Sequence, residues 1–129
     1  MNCLLDTHCL LWMMADPDRL SHQVRALVKN PAQTLFLSAA SGWEIALLWK
    51  LGRITLPDDP ARFIPESLQR LSIQALPISL DVAIAAATLP LHHRDPFDRL
   101  LSATALREGM SLLSCDPQLD AYGVNRVWD

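Results

Sequence analysis

Short, mostly apolar runs of strand length recur along this chain, each followed by a stretch with helical spacing, and that alternation leaves few folds open. NCLL at residues 2–5, TLFL at 34–37, residues 75–78, SLLS at 111–114 and a closing run at 124–128 are the strand candidates. Runs this short that are apolar on both sides, with helices between them, make βαβ units, and so a parallel sheet covered by helices on both faces. Residues 7–14 read as a helix capped by Asp6 or Thr7, with Leu10, Leu11 and Met14 inward, and ADPDRL reads as a turn. Residues 21–30 form a second helix, with Val24, Leu27 and Val28 inward, closed by Asn30 and Pro31. Residues 38–51 form a third, ending at Gly52. Residues 61–71 are helical, with Pro65 implying a kink or a late start. Residues 79–89 are alanine-rich and helical, stopped by Pro90. No repeat, low-complexity tract or linker interrupts the pattern, so residues 1–129 are expected to form one α/β domain.

The stretch HRDPFDRLLSATALREG carries the densest set of signals. Phe97, Leu100, Leu101, Thr104 and Ala105 follow the i, i+3, i+4 rule of an amphipathic helix. Asp95 before Pro96 is a start signal and Gly109 a stop. Asp98 falls in the first turn, where unpaired backbone N–H groups favour negative charge. Asp95 and Asp98 also have nearly the spacing of a capping box, an ordinary reason for acids at a helix start.

Composition excludes more than it selects. Half the residues are hydrophobic and 19% are charged, the balance of a globular chain. No apolar run is long enough for a membrane helix, and no charged segment leads into an apolar one, so no secretory signal is expected and the cytoplasm is the expected compartment. Three cysteines with no C-x-x-C pair argue against a disulfide framework or a zinc site. The net charge of −3 excludes a polybasic clamp. If four acids surround a metal ion, however, 10 remain against 11 lysines and arginines, and the rest of the surface does not repel nucleic acid.

In an open parallel sheet, ligands sit outside the carboxyl ends of the strands. Asp6 follows the first run, Glu44 lies in the helix after the second, Asp116 follows the fourth, and Asp98 opens the central helix. Each has a bland explanation. Asp6 could cap a helix, Glu44 stands at capping-box spacing from Ser41, and Asp116 before Pro117 is a turn start. Together they point to one acidic rim, and four carboxylates at one rim need a counter-cation or must hold protons. All-oxygen ligands suit Mg²⁺ or Mn²⁺ completed by a substrate phosphate, which is the chemistry of phosphodiester hydrolysis.

His92, His93, Arg94 and Arg99 flank the same helix start. They are either a solvated loop or, for the two arginines, donors to phosphate oxygens; a zinc-ligating histidine pair is disfavoured because the cysteines and acids lack complementary spacing. Trp12, Trp43 and Trp49, with Leu47, Leu48 and Leu51, are either a large core or a partner surface.

Four blocks carry a resemblance: LLDTHCLLW, SAASGWEIALLWKLGRITLP, LPLHHRDPFDRLLSATALREG and LLSCDPQLDAYGV. In this order and spacing the chain resembles the PIN-domain ribonucleases, and more narrowly the VapC-type toxins of type II toxin–antitoxin systems. The likeness spans nearly the whole chain and is weakest over residues 53–80. It implies a four-to-five-stranded parallel sheet between helices and a Mg²⁺- or Mn²⁺-dependent endoribonuclease. It also implies a homodimer, and an antitoxin of the VapB type whose C-terminal tail blocks the acids. The family's acids fall on Asp6, Glu44, Asp98 and Asp116 as catalytic and metal-binding residues, with Asp95 as cap or outer support. Ser114 matches a small hydroxyl near the fourth acid, and Arg94, Arg99 and Ser114 are the candidate substrate contacts.

Two other classes are weighed against this. A receiver or aspartate-nucleophile phosphatase needs paired acids after the first strand and a distal lysine. Here Thr7 and His8 follow Asp6, and the lysines are Lys29 and Lys50. A catalytically silent PIN module binding RNA or protein would be expected to lack acids that this chain retains.

Overall fold

The computed structural model describes residues 1–129. Five strands, β1 (Asn2–Leu5), β2 (Thr34–Ser38), β3 (Ile73–Leu76), β4 (Ser111–Leu113) and β5 (Asn125–Val127), form one sheet in the order β3-β2-β1-β4-β5. Every pairing is parallel. The helices are α1 (Thr7–Ala15), α2 (His22–Lys29), α3 (Ala39–Lys50), α4 (Pro60–Arg70), α5 (Leu80–Thr88) and α6 (Pro96–Glu108). Two 3₁₀ turns, Pro17–Arg19 and Pro117–Tyr122, complete the chain. No helix is long and apolar enough to cross a membrane.

Alternation along each strand sorts the side chains into two cores. Cys3 and Leu5 of β1, Leu35 and Leu37 of β2, and Leu113 of β4 face Leu10 of α1, Val24 of α2, Ile45 of α3 and Leu68 of α4. Leu4 and Leu112 face the other way, onto Leu101 and Ala105 of α6, with Phe36 packed alongside. Helix α5 lies outside α6, joined to it through Val82, Ala86 and Ala103. Right-handed crossovers account for this split. The chain steps from β1 to β2 to β3 in one direction with α1–α4 on one face, and reverses to reach β4 with α5 and α6 on the opposite face. The reversal leaves a switch point between β1 and β4, where their carboxyl ends diverge.

Two elements depart from the sequence reading. Strand β3 runs two residues earlier than the 75–78 expected, with Ile73 opposite Leu35, and it ends at Leu76 because Pro77 has no N–H for the ladder. Helix α4 starts at Pro60, capped by Asp59 accepting from the Ala61 N–H, so Pro65 sits within the helix and does not delay it. The turn at Asp116 and Pro117 extends into a 3₁₀ segment. Of the bulky residues on α3 and its C-cap, Trp43, Leu47, Trp49 and Leu51 are exposed, whereas Trp12 packs against the larger core.

Arg99 is a correction with consequences for the whole loop before α6. Expected as a phosphate contact, it is 8% exposed. Its Nη2 donates to the carbonyls of Ala86, Ala87 and Leu89 at 2.8, 3.2 and 3.0 Å. Its Nη1 donates to those of Pro90 at 3.2 Å and His93 at 3.4 Å. The guanidinium thus satisfies the open carbonyl end of α5, where the helix dipole favours a cation, and pins the 89–93 connection to α6. Arg99→Ala strands several buried acceptors at once. It is expected to destabilise the protein by about 2–4 kcal/mol, read as a lowered urea midpoint, where a residue reserved for phosphate would leave the midpoint unmoved.

Candidate active site

The acidic site grows out of the β1–β4 pairing. Their register aligns Leu5 with Leu113, and the ladder goes one step further, with the Asp6 N–H donating to the Leu113 carbonyl at 3.1 Å. Asp6 and Ser114 are thereby brought opposite one another, and the Ser114 hydroxyl donates to Asp6 Oδ2 at 2.7 Å. Asp6 occupies the N-cap position of α1, but its side chain makes no capping bond. The helix is not what this carboxylate serves. Ser114 also accepts the Asp116 N–H at 3.2 Å, so one hydroxyl links the segments bearing the first and fourth acids. Ser114 is 1% exposed, which corrects the expectation of a substrate contact and leaves it the supporting role the resemblance implied.

Glu44 arrives by a different route. Ser38 ends β2 and caps α3 by accepting from the Ala40 N–H. Ser41 is therefore inside the helix, and the expected Ser41–Glu44 capping box does not form. Instead the Thr7 hydroxyl donates to Ser41 Oγ at 3.0 Å in a fully buried contact that ties α1 to α3. Glu44, one helical step above Ser41, is half-buried. Burial raises its carboxyl pKa, and the charges of Asp95 and Asp6 add to the effect against Thr7 and His8.

Helix α6 starts as its sequence predicts. Asp95 caps it by accepting from the Phe97 N–H at 2.9 Å, Pro96 occupies the first turn, and Gly109 closes it at φ 64°. Asp98 does not turn back to close a capping box. Its Oδ2 lies 3.1 Å from His93 Nε2, and the same nitrogen lies 3.1 Å from Asp116 Oδ2. Asp116 also behaves as the turn residue it resembles, its Oδ1 accepting from the Gln118 N–H. His93, Asp98 and Asp116 offer ligand atoms within 4.8 Å of one another. His93 is the site residue that sequence reasoning left in a solvated loop. The available signal was its place two residues before the helix cap.

The four carboxylates feel one another. Burial raises the Asp6 carboxyl pKa, with Asp116 adding to it and the Ser114 hydroxyl and His8 opposing. Asp98 is pushed up to about 7, first by burial, then by the charges of Asp6 and Asp95, with Glu44 adding and His93 opposing. No arginine or lysine pairs with any of the four. Arg126 is held bidentate by Asp120 and donates to the Ser114 carbonyl, and Arg94 is exposed with no side-chain partner. A cavity of about 620 Å³ between α1 and the α3–α4 connection is lined by residues such as Leu11, Trp12, Ile54 and Arg70 and contains none of these four carboxylates.

A parallel α/β domain with an acid cluster at its switch point is thus the class that fold and site define. The PIN domain family model matches residues 3–125, and the chain belongs to that family. Ribonuclease VapC22 of Mycobacterium tuberculosis is 32% identical over 120 residues, spanning 92% of this chain and 90% of that protein. Ribonuclease VapC16 of the same organism is 35% identical over 65 residues, 50% of this chain and 45% of that one. Among solved structures, VapBC2 from Rickettsia felis bound to a promoter DNA fragment superposes with a TM-score of 0.72 at 17% identity, covering 100% of both chains. A toxin–antitoxin complex from Klebsiella pneumoniae gives 0.64 at 17% identity over 97% of this chain and 95% of that one. At those identities the likeness is one of fold.

The raised carboxyl of Asp98 sets a pH signature for the metal-free protein. A proton held more tightly by the folded chain than by the unfolded one stabilises fully below pH about 4, and that contribution is lost as pH rises through about 7. Asp98→Asn removes the repulsion. In EDTA the variant is expected to gain on wild type between pH 4 and pH 8, by up to about 4 kcal/mol. Paired urea titrations measure it, and a difference flat across that range contradicts the assignment.

Proposed function

We propose that residues 1–129 act as a single PIN domain with divalent-metal-dependent endoribonuclease activity, the toxin of a toxin–antitoxin pair held in check by a VapB-type antitoxin. The observation that carries this reading is the convergence of four carboxylates from four separate segments with no arginine or lysine to neutralise them. Ribonucleases among the relatives and toxin–antitoxin complexes among the similar structures support the substrate class and the partner.

The donor set fits a hard divalent cation. Asp6, Glu44, Asp98 and Asp116 offer carboxylate oxygens, which suit Mg²⁺ or Mn²⁺, and no arginine or lysine occupies them. When bound, such an ion supplies Lewis-acid polarisation of the phosphoryl group and a more acidic attacking water. Asp6 and Asp98 are read as its direct ligands, with Glu44 and Asp116 completing the cage and orienting water. Ser114 holds Asp6 in place by its hydrogen bond. Arg94, exposed beside the acids, is read as the phosphate contact. The cytoplasm is the proposed compartment. Self-association into a homodimer is supported by Trp43, Leu47 and Leu51, exposed four residues apart along α3 and its C-cap. The retention of all four acids weighs against a silent RNA- or protein-binding module.

Asp6→Asn and Asp98→Asn are each expected to lower RNA cleavage at least about 100-fold while the circular dichroism spectrum is kept. EDTA is expected to abolish wild-type cleavage, and added Mg²⁺ or Mn²⁺ to restore it. Cleavage by both variants in Mg²⁺ at the wild-type rate overturns the assignment.

A further inference from the structure

His93 is fixed from several directions at once. Its backbone N–H donates to the Tyr122 hydroxyl at 2.9 Å, and its carbonyl accepts from Arg99. Its ring Nδ1 accepts the Asp95 backbone N–H at 3.1 Å. An accepting Nδ1 carries no proton, so in the neutral ring the proton is on Nε2. That N–H is shared with Asp116 Oδ2, beyond β4, in a 3.1 Å hydrogen bond, and Asp98 Oδ2 on α6 lies 3.1 Å from the same nitrogen as a charge contact.

A nitrogen ligand to a metal needs a lone pair. For Nε2 to present one, the ring proton would have to move to Nδ1, where it would collide with the Asp95 N–H. We propose that His93 is a positioning residue of the acidic site: its Nε2–H holds Asp116 Oδ2 by a hydrogen bond and faces Asp98 Oδ2 at 3.1 Å, keeping two acids from separate segments side by side without itself ligating the cation. This rests on the reading that the acids hold a divalent ion. Two like-charged groups brought together by folding separate unless a donor lies between them, and at this edge of the site the imidazole is that donor. The Asp95 cap contributes twice, its carboxylate starting α6 and its backbone N–H fixing the tautomer of the ring two residues before it.

The test is Mn²⁺ binding to metal-free protein, by calorimetry and by pulsed electron paramagnetic resonance, for wild type, His93→Ala and His93→Gln. His93→Ala is expected to weaken Mn²⁺ binding about 10- to 100-fold. His93→Gln, whose amide N–H₂ stands near the place of Nε2, is expected to recover binding to within about 3-fold of wild type. The wild-type Mn²⁺ spectrum is expected to show no coupling to a directly bound imidazole nitrogen. Such a coupling overturns the proposal even if the alanine variant does not fold. So does unchanged affinity in His93→Ala, or a glutamine variant as weak as the alanine one. Wild-type protein that takes up no Mn²⁺ overturns the metal-site reading itself, and this inference with it.

Discussion

The pairing of β1 with β4 is the contact on which the rest of this molecule turns. It joins strands more than a hundred residues apart in the chain, and it forms only because the connection after β3 reverses direction and crosses to the other face of the sheet. Fully buried Leu4 and Leu112 lock the register on one side, Leu5 and Leu113 on the other. A slip of one residue would turn each of these side chains to the wrong core, so the alignment of Asp6 with Ser114 follows from hydrophobic packing. Polar chemistry is placed here by apolar register.

The second organising contact is the buried guanidinium of Arg99. The ladder positions Asp6 and Ser114, and Arg99 positions the approach to α6, including the backbone of His93. A helix C-terminus and the connection leading to the next helix are thus held by one side chain. The acids of α6 owe their place to a cation that never reaches the rim they occupy.

Much of this was legible in advance. Strand and helix order, the Asp95 cap, the Gly109 stop and the two-faced cover follow from local patterns of apolar, capping and turn residues. The four acids were legible as candidates because Asp6 and Asp116 follow strands, Asp98 opens a helix and Glu44 lies in the helix after a strand. What sequence could not do was choose between cap and site for each carboxylate, because both readings put an acid at the same position. The structure divides the cases. Asp6 and Asp98 make no capping bond, Asp95 does, and Asp116 does both kinds of work with different oxygens. Arg99 was misread for a related reason. An arginine beside acids has the appearance of a phosphate contact, and only the packing of α5 on α6 shows that five carbonyls converge on it. The apolar run 75–78 includes Pro77, which has no N–H for the ladder, and pairing with Leu35 favours the earlier Ile73.

The wide separation of the site's components along the chain has a temporal consequence. A polypeptide emerges from the ribosome amino end first. Asp6 and Glu44 are exposed early, yet neither has its companions until the segment beyond β4 is synthesised and finds the first strand. A chain made only as far as β3 holds isolated acids and no cluster. Asp6 and Glu44 therefore cannot join Asp98 and Asp116 until the chain has been made through β4 and the turn at Asp116.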